Sequence, residues 1–366
     1  MKIFIADLAS CGVNYEKDFI LNYLSPTLVK TNILEDADIV LMVGGCCCTE
    51  PQLVETVRYI RFLLKKKKET AITYLIGCIT KEFTSPTLSE LITKKLFNQI
   101  DYIYSQYNPN DLIKQINGYE SIQKDVYGAY YIGDIQGDIY IQNGCTHHCS
   151  FCKTNYTKCR LIDTPLEKIK QYLNELNDEN IKTVQLRGLN ISQYGLDLYK
   201  SYKLLEICEY IEEYTNIEEI ILSNFAFSDA IKNGFANRLK YLKKDIIING
   251  SLESGSNRLL KLMNKGFTKE EFLEFYYQIN SLHKRQMALN IISGFPTETK
   301  DDIYETLEVL KEVKPFRVNI NTYLDSQFTP SHNLEQLSEK EIEKHTKVYT
   351  RSLRKNKIKY DINGFN

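Results

Sequence analysis

Three cysteines crowd the stretch Asn143-Gly144-Cys145-Thr146-His147-His148-Cys149-Ser150-Phe151-Cys152, with the spacing C-x3-C-x2-C. Three thiolates on one short loop can hold three irons of a four-iron cluster. The fourth iron then has no cysteine. An open coordination position is where a ligand can bind and react, as at catalytic metals. The same residues also allow a zinc loop, with His147 or His148 as fourth ligand.

The other cysteines are placed by the elements around them. Short apolar runs predict strands over 2–6, 39–43 and 72–76, and periodic stretches predict helices over 15–24 and 53–64. Strands separated by helices argue for a small parallel α/β domain, whose sites form beyond the carboxyl ends of its strands. Cys11, Cys46, Cys47, Cys48 and Cys78 all follow such strands, so three separate positions are expected to meet at one sheet edge. Read singly, each is an ordinary buried thiol. Residues 101–130 show no clear period and read as a linker. A second series then alternates strands over 139–142, 183–186, 219–222, 246–248, 288–292 and 317–321 with helices over 165–176, 204–213, 269–281 and 301–313. Six such units fit a partial barrel or an open sheet, not an eight-unit barrel. A last helix is expected over 337–353.

Composition bounds the answer. The 366 residues carry 46 Lys and Arg against 47 Asp and Glu, a net charge of −1, which gives no electrostatic case for broad nucleic-acid or membrane binding. No apolar run approaches membrane-spanning length. Asp7 is met too early for a signal peptide, so a cytoplasmic location is expected. Ten cysteines in such a chain suit metal binding or catalysis better than disulfides.

The C-x3-C-x2-C loop in its strand–loop context resembles the radical S-adenosylmethionine (SAM) superfamily, and the likeness runs through residues 135–335. It implies that SAM chelates the open iron through its amino and carboxylate groups. One electron then cleaves the sulfonium to a 5′-deoxyadenosyl radical, which removes a substrate hydrogen. Phe151 matches the aromatic residue that the family places beside the adenine. The N-terminal segment is similar to the methylthiotransferase branch, which carries a second four-iron cluster. Ser10-Cys11-Gly12-Val13-Asn14, Val43-Gly44-Gly45-Cys46-Cys47-Cys48-Thr49-Glu50-Pro51 and Leu75-Ile76-Gly77-Cys78 match its three signatures. The resemblance makes Cys11, Cys46 and Cys78 the ligands. Thr49 selects Cys46, with Cys47 and Cys48 as alternatives. Two [4Fe-4S] clusters and SAM are therefore the expected cofactors.

Further segments carry the resemblance to the SAM pocket. The stretch from Leu186 to Gly195 resembles the family's strand-end motif ending in Tyr-Gly, and implies that Gly188 and Asn190 lie near SAM. Glu253-Ser254-Gly255-Ser256-Asn257-Arg258 resembles the segment reaching the ribose and methionine of SAM, implying Glu253, Ser254 and Ser256 as contacts, although Ser and Glu there also suit a helix N-cap. Gly294 falls in the stretch from Ile291 to Thr299, which resembles the family's Gly-Phe-Pro segment and by itself is a strand-to-helix turn.

The chain also departs from the pattern. Asn155 and Lys158-Cys159 replace Pro and Arg-Gly after the loop, and Tyr323-Leu324-Asp325-Ser326 lacks the family's Arg, while Thr329 and Pro330 match. Cys159 and Cys208 read as spectators. The expected division is an N-terminal methylthiotransferase domain over 1–100, the linker 101–130, a partial (β/α)6 radical SAM barrel over 131–335, and a helical basic tail over 336–366 without the family's C-terminal TRAM barrel of roughly 60 residues. The reaction implied is methylthiolation of an unactivated C–H bond. Near-zero net charge and the missing barrel lean the expected substrate towards a peptide or protein, with tRNA adenosine as the alternative. Thioether formation or epimerisation is a further alternative, and a non-catalytic electron carrier the least favoured. An electron donor such as flavodoxin or ferredoxin is expected, and no membrane partner.

Overall fold

A computed structural model describes residues 1–8, 20, 24–45, 50–77, 79, 96, 98–105, 109–117, 137–153, 161–326 and 329–363. Its contacts divide the chain into two units, Met1–Tyr131 and Ile132–Asn366.

In the first unit β1 (Lys2–Asp7), β2 (Val29–Lys30), β3 (Ile39–Val43), β4 (Ile72–Gly77) and β5 (Tyr102–Ser105) form a parallel sheet in the order β2-β1-β3-β4-β5. Ile39, Leu41 and Val43 join one buried cluster with Ile3, Tyr74 and Ile76, while Val40 and Met42 join another with Ala6 and Leu75. Both faces are covered, which is why β3 reads as an unbroken apolar run. Helix α1 (Glu50–Lys66) packs Val57, Ile60 and Leu63 on one face, and α2 (Pro109–Ile116) packs Leu112, Ile113 and Ile116 on the other.

The expected linker 101–130 is thus corrected at its start, where β5 and α2 belong to the sheet domain. Tyr102 and Ile103 show no period of their own. They become a strand by pairing with β4, where the rings of Tyr74 and Tyr102 stack with centroids 5.0 Å apart. The helix expected over 15–24 lies outside the described residues apart from positions 20 and 24.

The second unit is built on β6 (Asp138–Asn143), β7 (Ile162–Asp163), β8 (Thr183–Gly188), β9 (Glu219–Phe225), β10 (Asp245–Glu253), β11 (Gln286–Ser293), β12 (Arg317–Thr322) and β13 (Lys359–Asn363). They lie in the order β13-β12-β11-β10-β9-β8-β6-β7, and every pair is parallel except β6 with β7. The helices are α3 (Leu166–Asp178), α4 (Leu204–Tyr214), α5 (Phe227–Lys232), α6 (Phe235–Leu239), α7 (Asn257–Leu262), α8 (Lys269–Ile279), α9 (Lys300–Val313) and α10 (Glu339–Lys355). This is the expected α/β class, with a parallel sheet domain followed by a partial barrel. Helices α8, α9 and α10 open with reciprocal capping boxes, Thr268 with Glu271, Thr299 with Asp302 and Ser338 with Glu341, which satisfy amide groups that a helix start leaves unpaired.

The strands alternate sharply. Val184, Leu186, Ile220, Leu222, Ile246, Ile248, Leu289, Ile291, Val318 and Ile320 are fully buried beneath the helices. On the opposite face, beside the apolar Ile221, Ile247, Ala288 and Ile292, stand the polar Gln185, Arg187, Ser223, Asn249, Asn290, Asn319 and Asn321. These pair across strands, Asn319 Nδ2 donating to Asn290 Oδ1 at 2.9 Å and Arg187 Nη1 to Asp138 Oδ2 at 2.7 Å. The tail, expected to be helical, also adds β13 beside β12, in register from Arg317 opposite Lys359 to Asn321 opposite Asn363. That strand is short and largely exposed, with only Tyr360 and Ile362 alternating against polar residues, too brief a pattern to mark a strand within a basic tail. Among the described residues no helix is long and apolar enough to cross a membrane.

Candidate metal centre

The cysteine loop leaves β6 through a tight turn. Gly144 has φ +90°, a conformation that favours glycine, and its amide donates to Asn143 Oδ1 at 2.9 Å. Gln142 Nε2 donates to Gly144 O at 2.6 Å, while Gln142 Oε1 accepts from the Asn190 amide at 3.0 Å. Gln142 thereby ties the start of the loop to the end of β8. A Cβ on Gly188 would lie 2.5 Å from Gln142 O, so only glycine lets these strand ends close together.

The far end of the loop is held as firmly. Ser150 N donates to Met263 O at 3.0 Å, Ser331 N donates to Ser150 O at 2.9 Å, and Asn264 Nδ2 donates to His148 O at 2.8 Å. Phe151 is half-buried against Leu259, Met263, Ile292, Phe295 and Tyr323, edge-on to the Phe295 ring at 6.4 Å. Between these anchors Cys145, Cys149 and Cys152 form no disulfide, and each is partly exposed.

One buried carboxylate organises the polar side of the loop. Asp229, on α5, lies 2.7 Å from His147 Nε2, and accepts from Asn190 Nδ2 at 3.1 Å, Gln193 Nε2 at 3.4 Å and the Tyr202 hydroxyl at 3.3 Å. Asn190 Nδ2 is also 3.6 Å from Cys145 Sγ. Gln193 reaches the loop too, accepting from Thr146 N at 3.0 Å and donating to its hydroxyl at 2.8 Å. Burial alone would raise the Asp229 carboxyl, but hydrogen bonds from His147 and the neighbouring amides hold it below the usual range. Burial pulls the His147 imidazole down, yet its bonds to Asp229 and Cys149 prevail and it is pushed up to about 9. Burial pushes the Cys145 thiol up to about 11. Metal coordination reverses that last effect, because a ligating thiol is deprotonated.

The donor set suits a four-iron cluster. Its cysteines bind separate irons and need not share one centre. Among the described residues no three His, Cys, Asp or Glu side chains gather to hold a single metal ion. His147 Nε2 is engaged with Asp229, and the ring also bonds Cys149. Asn190 Oδ1 and Ser150 Oγ are buried at the loop without a hydrogen-bond partner, polar atoms suited to a ligand there.

The remaining expected contacts also bond within the chain. Glu253 ends β10 with φ +67° and faces Lys265 Nζ at 3.6 Å, both nearly buried. Ser254 Oγ is 3.1 Å from Thr306 Oγ1, and Ser256 Oγ donates to Asp302 Oδ1 at 2.6 Å. These hydroxyls fasten the β10 loop to α9, and Ser256 makes no side-chain cap for α7. A Cβ on Gly255 would lie 2.6 Å from Thr306 Cα, so glycine is required for that contact. Gly294 has φ +79° and packs under Ile342 of α10, its amide donating to Glu298 Oε2 at 2.7 Å. Cys11, Cys46, Cys47, Cys48, Cys78 and Cys159 lie outside the described residues, as do Asn155 and Lys158. Cys208 is fully buried in α4, the spectator position expected of it. Asp229 was missed by sequence reasoning. Its only signal was a carboxylate just beyond a strand end, where such folds place their sites.

Comparison with known proteins agrees with this arrangement. The profile of the radical SAM superfamily matches residues 139–310. The tRNA-2-methylthio-N(6)-dimethylallyladenosine synthase of Desulforamulus reducens is 26% identical over 330 residues, covering 84% of this chain and 70% of that protein. The threonylcarbamoyladenosine tRNA methylthiotransferase MtaB of Aquifex aeolicus is 26% identical over 351 residues, covering 91% and 83%. Among solved structures, the radical SAM methyltransferase TsrM of Kitasatospora setae shares the fold with a TM-score of 0.61 at 12% identity, over 90% of this chain and 77% of that one.

Proposed function

We propose that this chain, which carries a radical SAM domain and is homologous to the tRNA methylthiotransferases, inserts a methylthio group at an adenosine of tRNA. The reading rests chiefly on homology to methylthiotransferases over most of the chain. The peptide or protein substrate favoured by composition gives way to tRNA, because the similar proteins act on tRNA adenosines by name.

In this reading Cys145, Cys149 and Cys152 hold the SAM-binding cluster, and Cys11, Cys46 and Cys78 hold the second. When bound there, a reduced four-iron cluster with an open iron would supply the electron that cleaves SAM. The chain's own contribution is placement. Gln142, Gln193 and Phe151 fix the loop so that the three thiols keep their spacing. Asn190 presents an amide N–H to Cys145 and keeps its carbonyl for the bound ligand. Asp229 orients both Asn190 and His147. Glu253, in its left-handed turn at the end of β10, provides a carboxylate for the hydroxyls of SAM, with Lys265 holding it in place. Flavodoxin or ferredoxin supplies the electron.

The test needs no RNA at first. Protein reconstituted anaerobically is given SAM without reductant, quenched in acid and assayed for methanethiol. Release that disappears in Cys11→Ala supports methylthio transfer through the second cluster. No methanethiol, but 5′-deoxyadenosine once dithionite is added, overturns methylthio transfer in favour of other radical chemistry.

A further inference from the structure

Helix α10 has two faces with different work. On the inner face Ile342, Thr346, Tyr349 and Leu353 are buried. Thr346 Oγ1 lies 2.9 Å from Ser293 Oγ at the end of β11, His345 Nδ1 is 2.8 Å from Glu298 Oε2, and the Tyr349 hydroxyl donates to Glu298 Oε1 at 3.1 Å. The helix is therefore fixed to the loop at the carboxyl end of β11, the end of the sheet that also bears the cysteine loop.

The outer face carries Lys340, Lys344, Lys347, Arg351, Arg354 and Lys355, all exposed. Their steps of four, three, four and three residues, with Lys355 closing the row, keep them on one face within an arc of about 100° and along a rise of about 22 Å. Lys357 and Lys359, both exposed, follow the helix in the turn and at the start of β13. Residues 339–359 hold eight Lys and Arg against three Glu, in a chain whose net charge is −1. The three acids lie in the first half of the helix: Glu341 is spent on the Ser338 cap, and Glu343 pairs with Lys347 at 2.6 Å. Among the described residues no hydrogen bond or ion pair holds Lys340, Lys344, Arg351 or Lys355.

Like charges at i,i+3 and i,i+4 along the row repel, and Lys340 stands in the first turn, where the helix dipole disfavours a cation, although Arg354 and Lys355 in the last turn suit it. Burial of the inner face holds the helix, and the outer row is left open to solvent or to a partner. A protein partner would need apolar or aromatic anchors amid the charges. The middle of this row has none exposed, Val348 being half-covered. A phosphodiester backbone needs no such anchors, only cations repeated along its length.

We propose that the outer face of α10 docks the sugar–phosphate backbone of an RNA. The proposal rests on the tRNA reading for the identity of the RNA, and on the row itself for the contact. The test uses full-length reconstituted protein, a fluorescent unmodified tRNA transcript and a salt series. In the variant K344Q/K347Q/R351Q/K355Q four phosphate contacts are removed, so the slope of log affinity against log salt becomes shallower by about 3 and affinity near physiological salt falls at least tenfold. Deoxyadenosine production from SAM and dithionite, without RNA, stays at the parent level. Should the fourfold variant fold poorly, K344Q/R351Q gives half the change in slope. An unchanged slope overturns the proposal, and so does tighter binding of a polyglutamate peptide than of tRNA. Methanethiol release in the same preparations reports separately on the methylthio reading: its loss with the salt effect intact sinks that reading and leaves the docking face standing.

Discussion

Asn190 Nδ2 lies 3.6 Å from Cys145 Sγ and 3.1 Å from Asp229 Oδ2, so one carboxamide joins the thiol loop to a buried carboxylate. The donor is aimed because Asp229 accepts its other reach, and the backbone of Asn190 is fixed by Gln142. A hydrogen bond to a ligating sulfur stabilises the more negative, reduced form of a cluster. Asn190→Ala in the reconstituted protein is expected to lower the midpoint potential by roughly 40 mV, the one-electron equivalent of about 1 kcal/mol. A redox titration followed by electron paramagnetic resonance measures it. A potential that stays put, or rises, would show that the contact does not tune the cluster.

The two clusters of the proposed reading should separate by mutation. Cys149→Ala is expected to reduce iron from about eight to about four per chain and to abolish deoxyadenosine formation. Cys11→Ala should remove the same amount of iron yet keep deoxyadenosine formation. Iron analysis beside product chromatography decides it. Full iron in Cys11→Ala would remove the case for a second cluster at that site.

Gly294 sits under Ile342 with φ +79°, and an added Cβ would come 2.6 Å from Ile342 Cγ1. Gly294→Ala therefore meets both backbone strain and a clash with α10. A loss of about 1–3 kcal/mol is expected, read from the urea midpoint of unfolding. Wild-type stability in that variant would mean that α10 is held less tightly than its contacts imply.

Asp163 supplies a pH test away from the metal ligands. Its Oδ2 accepts from Gly195 N at 2.9 Å and Asp197 N at 3.0 Å, while Oδ1 is buried without a partner. Burial pushes the carboxyl up to about 6, above its unfolded value near 4. A group raised on folding stabilises fully below its unfolded pKa, and that contribution is lost as pH rises through the folded one. The loss amounts to roughly 3 kcal/mol between about pH 4 and pH 7. Asp163→Asn, with its amide nitrogen placed where Oδ1 lacks a partner, should not show this decline. Urea midpoints of the two chains across that range test it, and parallel pH curves would refute the assignment.

The three-cysteine loop was the most legible feature of the sequence. Cys145, Cys149 and Cys152 fall within eight residues, so the loop that gathers them is a local matter, and thiolate chemistry follows from residue type and spacing. The buried strands of both units read clearly because burial on one or both faces imposes its own apolar pattern, as at Ile39 to Val43. Elements that exist only by pairing were harder. β5 owes its form to β4, and exposed β13 to β12.

By itself, then, the sequence determined the α/β class and brought three cysteines onto one loop, since short-range spacing and hydrophobic period are written into neighbouring residues. Only the tertiary structure decided which distant groups serve that loop. It set Asp229 against His147 and Asn190, committed Ser254 and Ser256 to α9, and docked the inner face of α10 so that its cations point outward. The physical reason is the same in each case. A hydrogen bond between residues far apart in the chain depends on how helices and strands pack, and packing leaves no periodic trace at the polar positions it brings together.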